Sequence, residues 1–147
     1  MEEFMKKIAT LFIAVLCLTL LIGCTGSASF EPLHNSSEIE SIQIVTKVRY
    51  NIQQKQWDYE EVCTVEDVQA FAEELLAIDT NRILNDPPQM SETAYVARIT
   101  YTNGDCELIS NRNQRRLYSD GTSRERNYSF DSDSFDALLL KYMEMAE

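Results

Sequence analysis

The stretch Tyr95-Val96-Ala97-Arg98-Ile99-Thr100-Tyr101-Thr102-Asn103-Gly104-Asp105-Cys106-Glu107-Leu108 decides the fold. Tyr95, Ala97, Ile99 and Tyr101 alternate with Val96, Arg98 and Thr100, the two-residue period of a strand with one buried face. Asn103-Gly104 is the dipeptide of a two-residue type I′ turn, in which both central residues take positive φ. Such a turn pairs Tyr101 with Cys106 and Ile99 with Leu108. Cys106 then falls on the buried face, and Glu107 falls on the solvent face opposite Thr100, with Arg98 diagonal to it.

The same reading extends in both directions. Ile42, Ile44, Val48 and Tyr50 share one side of a strand over 41–50, with Gln43, Lys47 and Arg49 on the other. The polar run 51–55 turns the chain into a second strand, 56–63. Thr64 is the expected cap of a helix with Glu66 and Asp67 in its first turn, where the helix dipole favours anions. Its apolar stripe is Val68, Phe71, Ala72, Leu75 and Leu76. Asp79-Thr80-Asn81 ends that helix, and Asp86-Pro87-Pro88 marks a loop. Asp120-Gly121 signals another hairpin within 115–130. A final helix opens at Asp131-Ser132-Asp133, with the stripe Phe135, Leu138, Leu139, Tyr142 and Met143. The predicted order is β-β-α-β-β-β-β-α. This is a single small α+β domain, an antiparallel sheet with two helices packed on one face.

The whole chain has 147 residues, is 44% apolar and carries a net charge of −11. One domain fits that length, and a charged fraction of 25% excludes a multi-span membrane protein. The acidity makes nucleic acid an improbable partner, because phosphate binding needs a dominant cationic surface. The first 23 residues are a different object from the rest. Lys6-Lys7 precede an apolar run from Ile8 to Ile22, about 22 Å long as a helix and shorter than a bilayer core. That is the pattern of a cleaved signal peptide.

The run ends in Leu21-Ile22-Gly23-Cys24, followed by Thr25-Gly26-Ser27-Ala28-Ser29. Here the chain resembles the bacterial lipoproteins, whose lipobox places an aliphatic residue, two tolerated residues and a cysteine at this point. The resemblance covers residues 1–24. It implies a signal peptide over 1–23 and a diacylglyceryl thioether on Cys24, which becomes the first mature residue. Two acyl chains anchor a protein stably in a membrane. The Ser-rich stretch 24–38 then reads as a lipidated N-terminus and flexible tether holding lone His34, ahead of the globular domain 39–147. Residence on the extracytoplasmic face of a bacterial cell membrane follows from the same resemblance.

Cys17 leaves with the signal and Cys24 takes lipid, so Cys63 and Cys106 remain. An even pair outside the cytoplasm invites a disulfide; alternatively both are small buried hydrophobes. No histidine stands ready to activate either thiol. Metal ligation has little support: Asp131, Asp133 and Asp136 lack the glycine and terminal glutamate of a calcium loop, and helix capping accounts for them. Nothing in the chain calls for a cofactor. Asp58, Glu60, Glu61, Glu73 and Glu74 are candidate carboxylates for a hydrolase, without spacing that pairs them. No serine-nucleophile motif is present.

Charge segregation is the more informative feature. Arg112, Arg115, Arg116, Arg124 and Arg126 fall within 110–128 against Asp120 and Glu125, a local +3 in a chain that carries −14 elsewhere. A two-residue turn at Asp120-Gly121 sets Arg116 opposite Glu125 and Arg115 opposite Arg126, and the like pair suggests an anion between them. The arginines are thus a candidate patch for an anionic envelope polymer, lipid headgroups or an acidic protein surface; pairing with the chain's own carboxylates is the competing use. Trp57 and Tyr59, beside Asp58 and Glu60, are a second candidate face, for a small ligand or glycan. The expected function is a membrane-anchored binding module of the cell envelope, with ligand or glycan binding as the alternative and hydrolysis a distant third.

Overall fold

The computed structural model describes residues 30–82 and 94–147. Cys24 and the Asp86-Pro87-Pro88 loop lie outside them. The chain forms β1 (Ile39–Asn51), β2 (Gln56–Thr64), α1 (Val68–Ala77), β3 (Thr80–Arg82), β4 (Val96–Tyr101), β5 (Cys106–Ile109), β6 (Asn113–Leu117), β7 (Ser123–Phe130) and α2 (Ser132–Met145). The strands make one antiparallel sheet in the order β2-β1-β4-β5-β6-β7-β3. The α+β class and the element order hold, with short β3 added where the helix was expected simply to end. α1 starts later than expected. Its cap is Asp67, whose carboxylate accepts the Ala70 N–H at 3.0 Å, not Thr64. α2 is capped by Asp131, through the Ser134 N–H at 3.0 Å.

Both helices lie on one face. Phe71, Leu75, Phe135, Leu138, Leu139 and Tyr142 pack there against Ile42, Ile44, Ala97, Ile99 and Tyr101. Tyr95, expected on that face, is 43% exposed, since β4 begins after it.

The decisive hairpin has a different turn. Gly104 N–H bonds to Tyr101 O at 2.9 Å, and Tyr101 N–H bonds to Asp105 O at 2.9 Å. Gly104 alone has positive φ, 87°, while Asn103 does not. This is a turn centred on Thr102 and Asn103 and closed by a left-handed glycine bulge. The loop is one residue longer than a type I′ hairpin, so Thr100 pairs with Cys106, Ile99 with Glu107 and Arg98 with Leu108. The faces exchange accordingly. Cys106 lies opposite the helices, and Glu107 enters the core with no exposed surface. The second hairpin repeats the device, with Gly121 at φ 86° and Gly121 N–H on Tyr118 O at 2.9 Å. Arg115 therefore pairs with Glu125, and Arg116 with Arg124.

The exchange also decides the thiols. Cys63 pairs with Ile44 and packs on the helix side, whereas Cys106 sits on the other face. Both are free, so of the two alternatives for Cys63 and Cys106 the disulfide is the one that is absent.

A buried carboxylate needs donors. Glu107 accepts hydrogen bonds from the Tyr101 hydroxyl, the Gln114 side-chain amide and, at 2.5 Å, the Leu33 main-chain N–H. Burial, and then the neighbouring Glu107, push the Tyr101 phenol up, so it remains a donor. Leu33 belongs to the segment read as tether, and that reading is corrected from Phe30 onward. Phe30 is buried against Tyr128 and Phe130, with ring centroids 5.5 and 5.2 Å away. Gln114 and Arg116 donate to Glu31 O at 3.0 and 2.7 Å, and Arg126 pairs with the Glu31 carboxylate at 3.2 Å. Residues 30–35 are a strap laid across the sheet, followed by a 3-10 turn at Ser36–Glu38.

His34 closes the strap. Its Nε2 lies 2.8 Å from Asp105 Oδ2 and 3.1 Å from the Asn103 side-chain amide nitrogen. The His34–Asp105 bond, with the Ser119 N–H at 2.8 Å, holds the Asp105 carboxyl down at about 2. A carboxyl depressed below its unfolded value of about 3.9 stabilises the fold above that value, and the contribution disappears as pH falls from about 4 towards 2. Asp105→Asn is expected to lower the urea midpoint at pH 6 and to converge on the wild type at pH 2. A constant difference over that range would show that Asp105 is not the group that titrates.

Candidate functional site

β1 is the source of the site. Its pairing with β2 slips between Ile44 and Val45 and again between Thr46 and Arg49, and Lys47 takes a left-handed φ of 53°. Bulges bend a strand and raise its twist. Beyond them the apolar residues change sides: Val45 and Val48 pack with Val96 and Leu108 on the face away from the helices, joined by Trp57 and Leu117. Val48 and Tyr50 therefore do not continue the face of Ile42 and Ile44.

In a flat sheet β2 and β6 would stand four strand spacings apart, roughly 19 Å. Yet the Arg115 guanidinium of β6 lies 4.4 Å from the centre of the Trp57 ring of β2. The outer half of the β1–β2 hairpin is folded across the sheet as an arm. This brings together members of the two sets that the sequence kept apart, the arginines and the aromatics.

Between the arm and the tip of the β6–β7 hairpin is a groove of about 390 Å³. Tyr50, Trp57, Arg115, Leu117 and Tyr118 line it, with Lys55 at its mouth and the polar side chains of Gln56, Thr122 and Ser123 around it. Tyr50 and Trp57 adjoin at 5.3 Å between ring centres. Arg115 is oriented by Glu125, 3.1 Å away, and its stacking on Trp57 is a cation–π contact of a kind that contributes about 0.5–2 kcal/mol. Among the described residues no acidic side chain is part of the lining, while Glu125 and Asp120 bond to the lining side chains of Arg115 and Thr122 at 3.1 and 2.7 Å.

The predicted arginine patch is dispersed. Arg115 serves the groove, while Arg116 and Arg126 face the helix side and bind the strap. Arg124 is exposed opposite Arg116, and Arg112 sits in the β5–β6 turn at the other end of those strands. The competing use, pairing with the chain's own acids, thus describes Arg126 and partly Arg115. Tyr59 is also outside the groove, 37% exposed under the Arg98 guanidinium at 5.0 Å. Tyr50 and Lys55 were missed. Tyr50 was assigned inward by strict alternation, and no residue type announces a bulge at Lys47.

The hydrolase candidates do not converge. Asp58 is held by Asn51 at 3.0 Å, Glu60 by Lys47 at 2.9 Å, Glu61 by Gln43 at 2.6 Å and Glu74 by Lys141 at 2.7 Å. A second cleft, about 630 Å³ between the helices, is lined by that Glu74–Lys141 pair with Asp79 and Asp131. Among the described residues no group of three potential metal ligands occurs, and no helix is long and apolar enough to cross a membrane. No protein family, curated protein or solved structure matches the chain.

Proposed function

We propose that the chain is a lipid-anchored, extracytoplasmic binding module of the bacterial envelope, and that the groove between arm and β6–β7 tip is where it holds an anionic partner. The anchor rests on the lipobox ending at Cys24. The binding site rests on one observation: Arg115 stacks on Trp57 in a groove whose lining, among the described residues, holds two basic residues and no acidic one, in a chain whose net charge is −11. Lys55 and Arg115, the latter paired with Glu125, put basic side chains into one concavity of so acidic a protein and favour an anion there. Aromatic walls with a few placed polar groups are the usual make-up of a ligand site.

Arg115→Glu and Trp57→Ala in the full chain are expected to abolish co-sedimentation with delipidated envelope polymer. Arg112→Glu, remote from the groove, should leave it unchanged. Equal pelleting of all three variants would overturn the groove as the binding site. Cys24→Ser should independently end palmitate incorporation, and continued labelling would overturn the anchor.

A further inference from the structure

Two geometrical facts narrow the partner. The strap fixes the exit of the chain at Phe30, whose N–H bonds to Thr80 Oγ1 at 3.1 Å and whose ring rests on Phe130 at the end of β7. Five residues separate Cys24 from Phe30, and the six steps reach at most about 20 Å. The groove lies at the opposite end of β7, beside Thr122 and Ser123, on the face away from the strap. The eight residues of β7 place it roughly 23 Å further along the strand. An anchor at Cys24 therefore keeps the Phe30 end within about 20 Å of the bilayer, with the groove at the other end of the domain.

The lining supplies the chemistry. Tyr50 and Tyr118, beside the Trp57 ring on which Arg115 is stacked, offer aromatic surface that suits the C–H face of a sugar ring. Gln56, Thr122 and Ser123 add polar side chains for hydroxyls, and Lys55, beside an Arg115 that also meets Glu125, supplies positive charge for an acid. We infer that the groove binds an acidic saccharide, one bearing carboxylate or phosphate on its rings, presented away from the membrane and not as a lipid headgroup. This rests on the groove being the binding site proposed above.

Trp57 is the sole tryptophan, so intrinsic fluorescence reports on the groove directly. The full lipidated chain in detergent micelles would be titrated with trigalacturonate, its neutral methyl ester, a muramyl disaccharide, polyglutamate and, after reconstitution, phosphatidylglycerol vesicles. The expected result is saturable change with at least one acidic sugar, at least tenfold weaker binding of the neutral ester, and at least fivefold loss in both Lys55→Gln and Arg115→Gln. Lys55 is an exposed turn residue, so its variant guards against a folding artefact. Equal binding of ester and acid would overturn the saccharide's required charge while leaving the groove reading intact. A response confined to vesicles or to polyglutamate would replace the saccharide by a headgroup or an acidic protein surface. Silence with every probe would remove the groove reading and this inference together.

Discussion

Replacing Glu107 with alanine is expected to lower the unfolding free energy by about 3–5 kcal/mol, because three donors lose their acceptor inside the core. The Tyr101 hydroxyl, the Gln114 amide and the Leu33 N–H all converge on this one carboxylate, which has no exposed surface. Glu107→Gln should cost less, about 1–2 kcal/mol. It keeps one acceptor oxygen, and the buried Gln114 Oε1, which has no partner, can be turned towards the new amide. The order wild type, glutamine, alanine would be read from urea midpoints. The experiment also decides the register. With a two-residue turn Glu107 would lie in solvent, and its removal would change stability by no more than about 0.5 kcal/mol. A loss that small would mean that the bulged turn and the buried position are both wrong. A large loss should be accompanied by faster proteolysis within 30–35, since the strap is pinned to Glu107 through Leu33.

The hairpins, the helix stripes and the fold class were legible because each depends on local residue type: a glycine after Asn103 or Asp120, apolar spacing at 71–75 and 135–142. What was not legible depends on single-residue events. Asn103-Gly104 serves a two-residue turn and a bulged three-residue one alike, and the choice moves Glu107 between solvent and core. A glutamate is normally placed outside on composition alone. Its burial is possible only because Tyr101, Gln114 and a main-chain N–H from 74 positions upstream converge on it. The bulge at Lys47 has the same character. Nothing in its residue type marks it, yet it carries Trp57 across three strands to Arg115. Half of the site was therefore visible as residues and none of it as a place.

The strap changes the meaning of the Ser-rich segment. Low apolar content suggested a spacer, but Phe30 and Leu33 are its two large apolar residues, and both are used. The facing of Arg115 and Arg126 that suggested an intervening anion does not form, because the longer turn sets Arg115 opposite Glu125. Arg126 takes the Glu31 carboxylate of the strap instead, and Arg116 its carbonyl.

Phe130→Ala is the second large effect, with an expected loss of about 4 kcal/mol. Phe130 is 2% exposed, and its ring meets three others: Phe30 and Tyr128 at 5.2 Å each, and Phe135 stacked at 5.0 Å. It therefore joins strap, strand and α2 in one contact, and truncation leaves a cavity bounded by rigid rings that cannot collapse into it. Phe30→Ala should cost less, about 2–3 kcal/mol, because its ring is 7% exposed and meets two rings. The double variant should fall short of the sum by about 1 kcal/mol, since each truncation already removes the contact between them. Strict additivity would mean that Phe30 and Phe130 do not pack and that the strap is undocked in solution. Phe30→Ala would then also leave the reach from Cys24 to the domain unchanged. With the strap docked, the same substitution should free several residues after Phe30, read as faster proteolysis within 30–35.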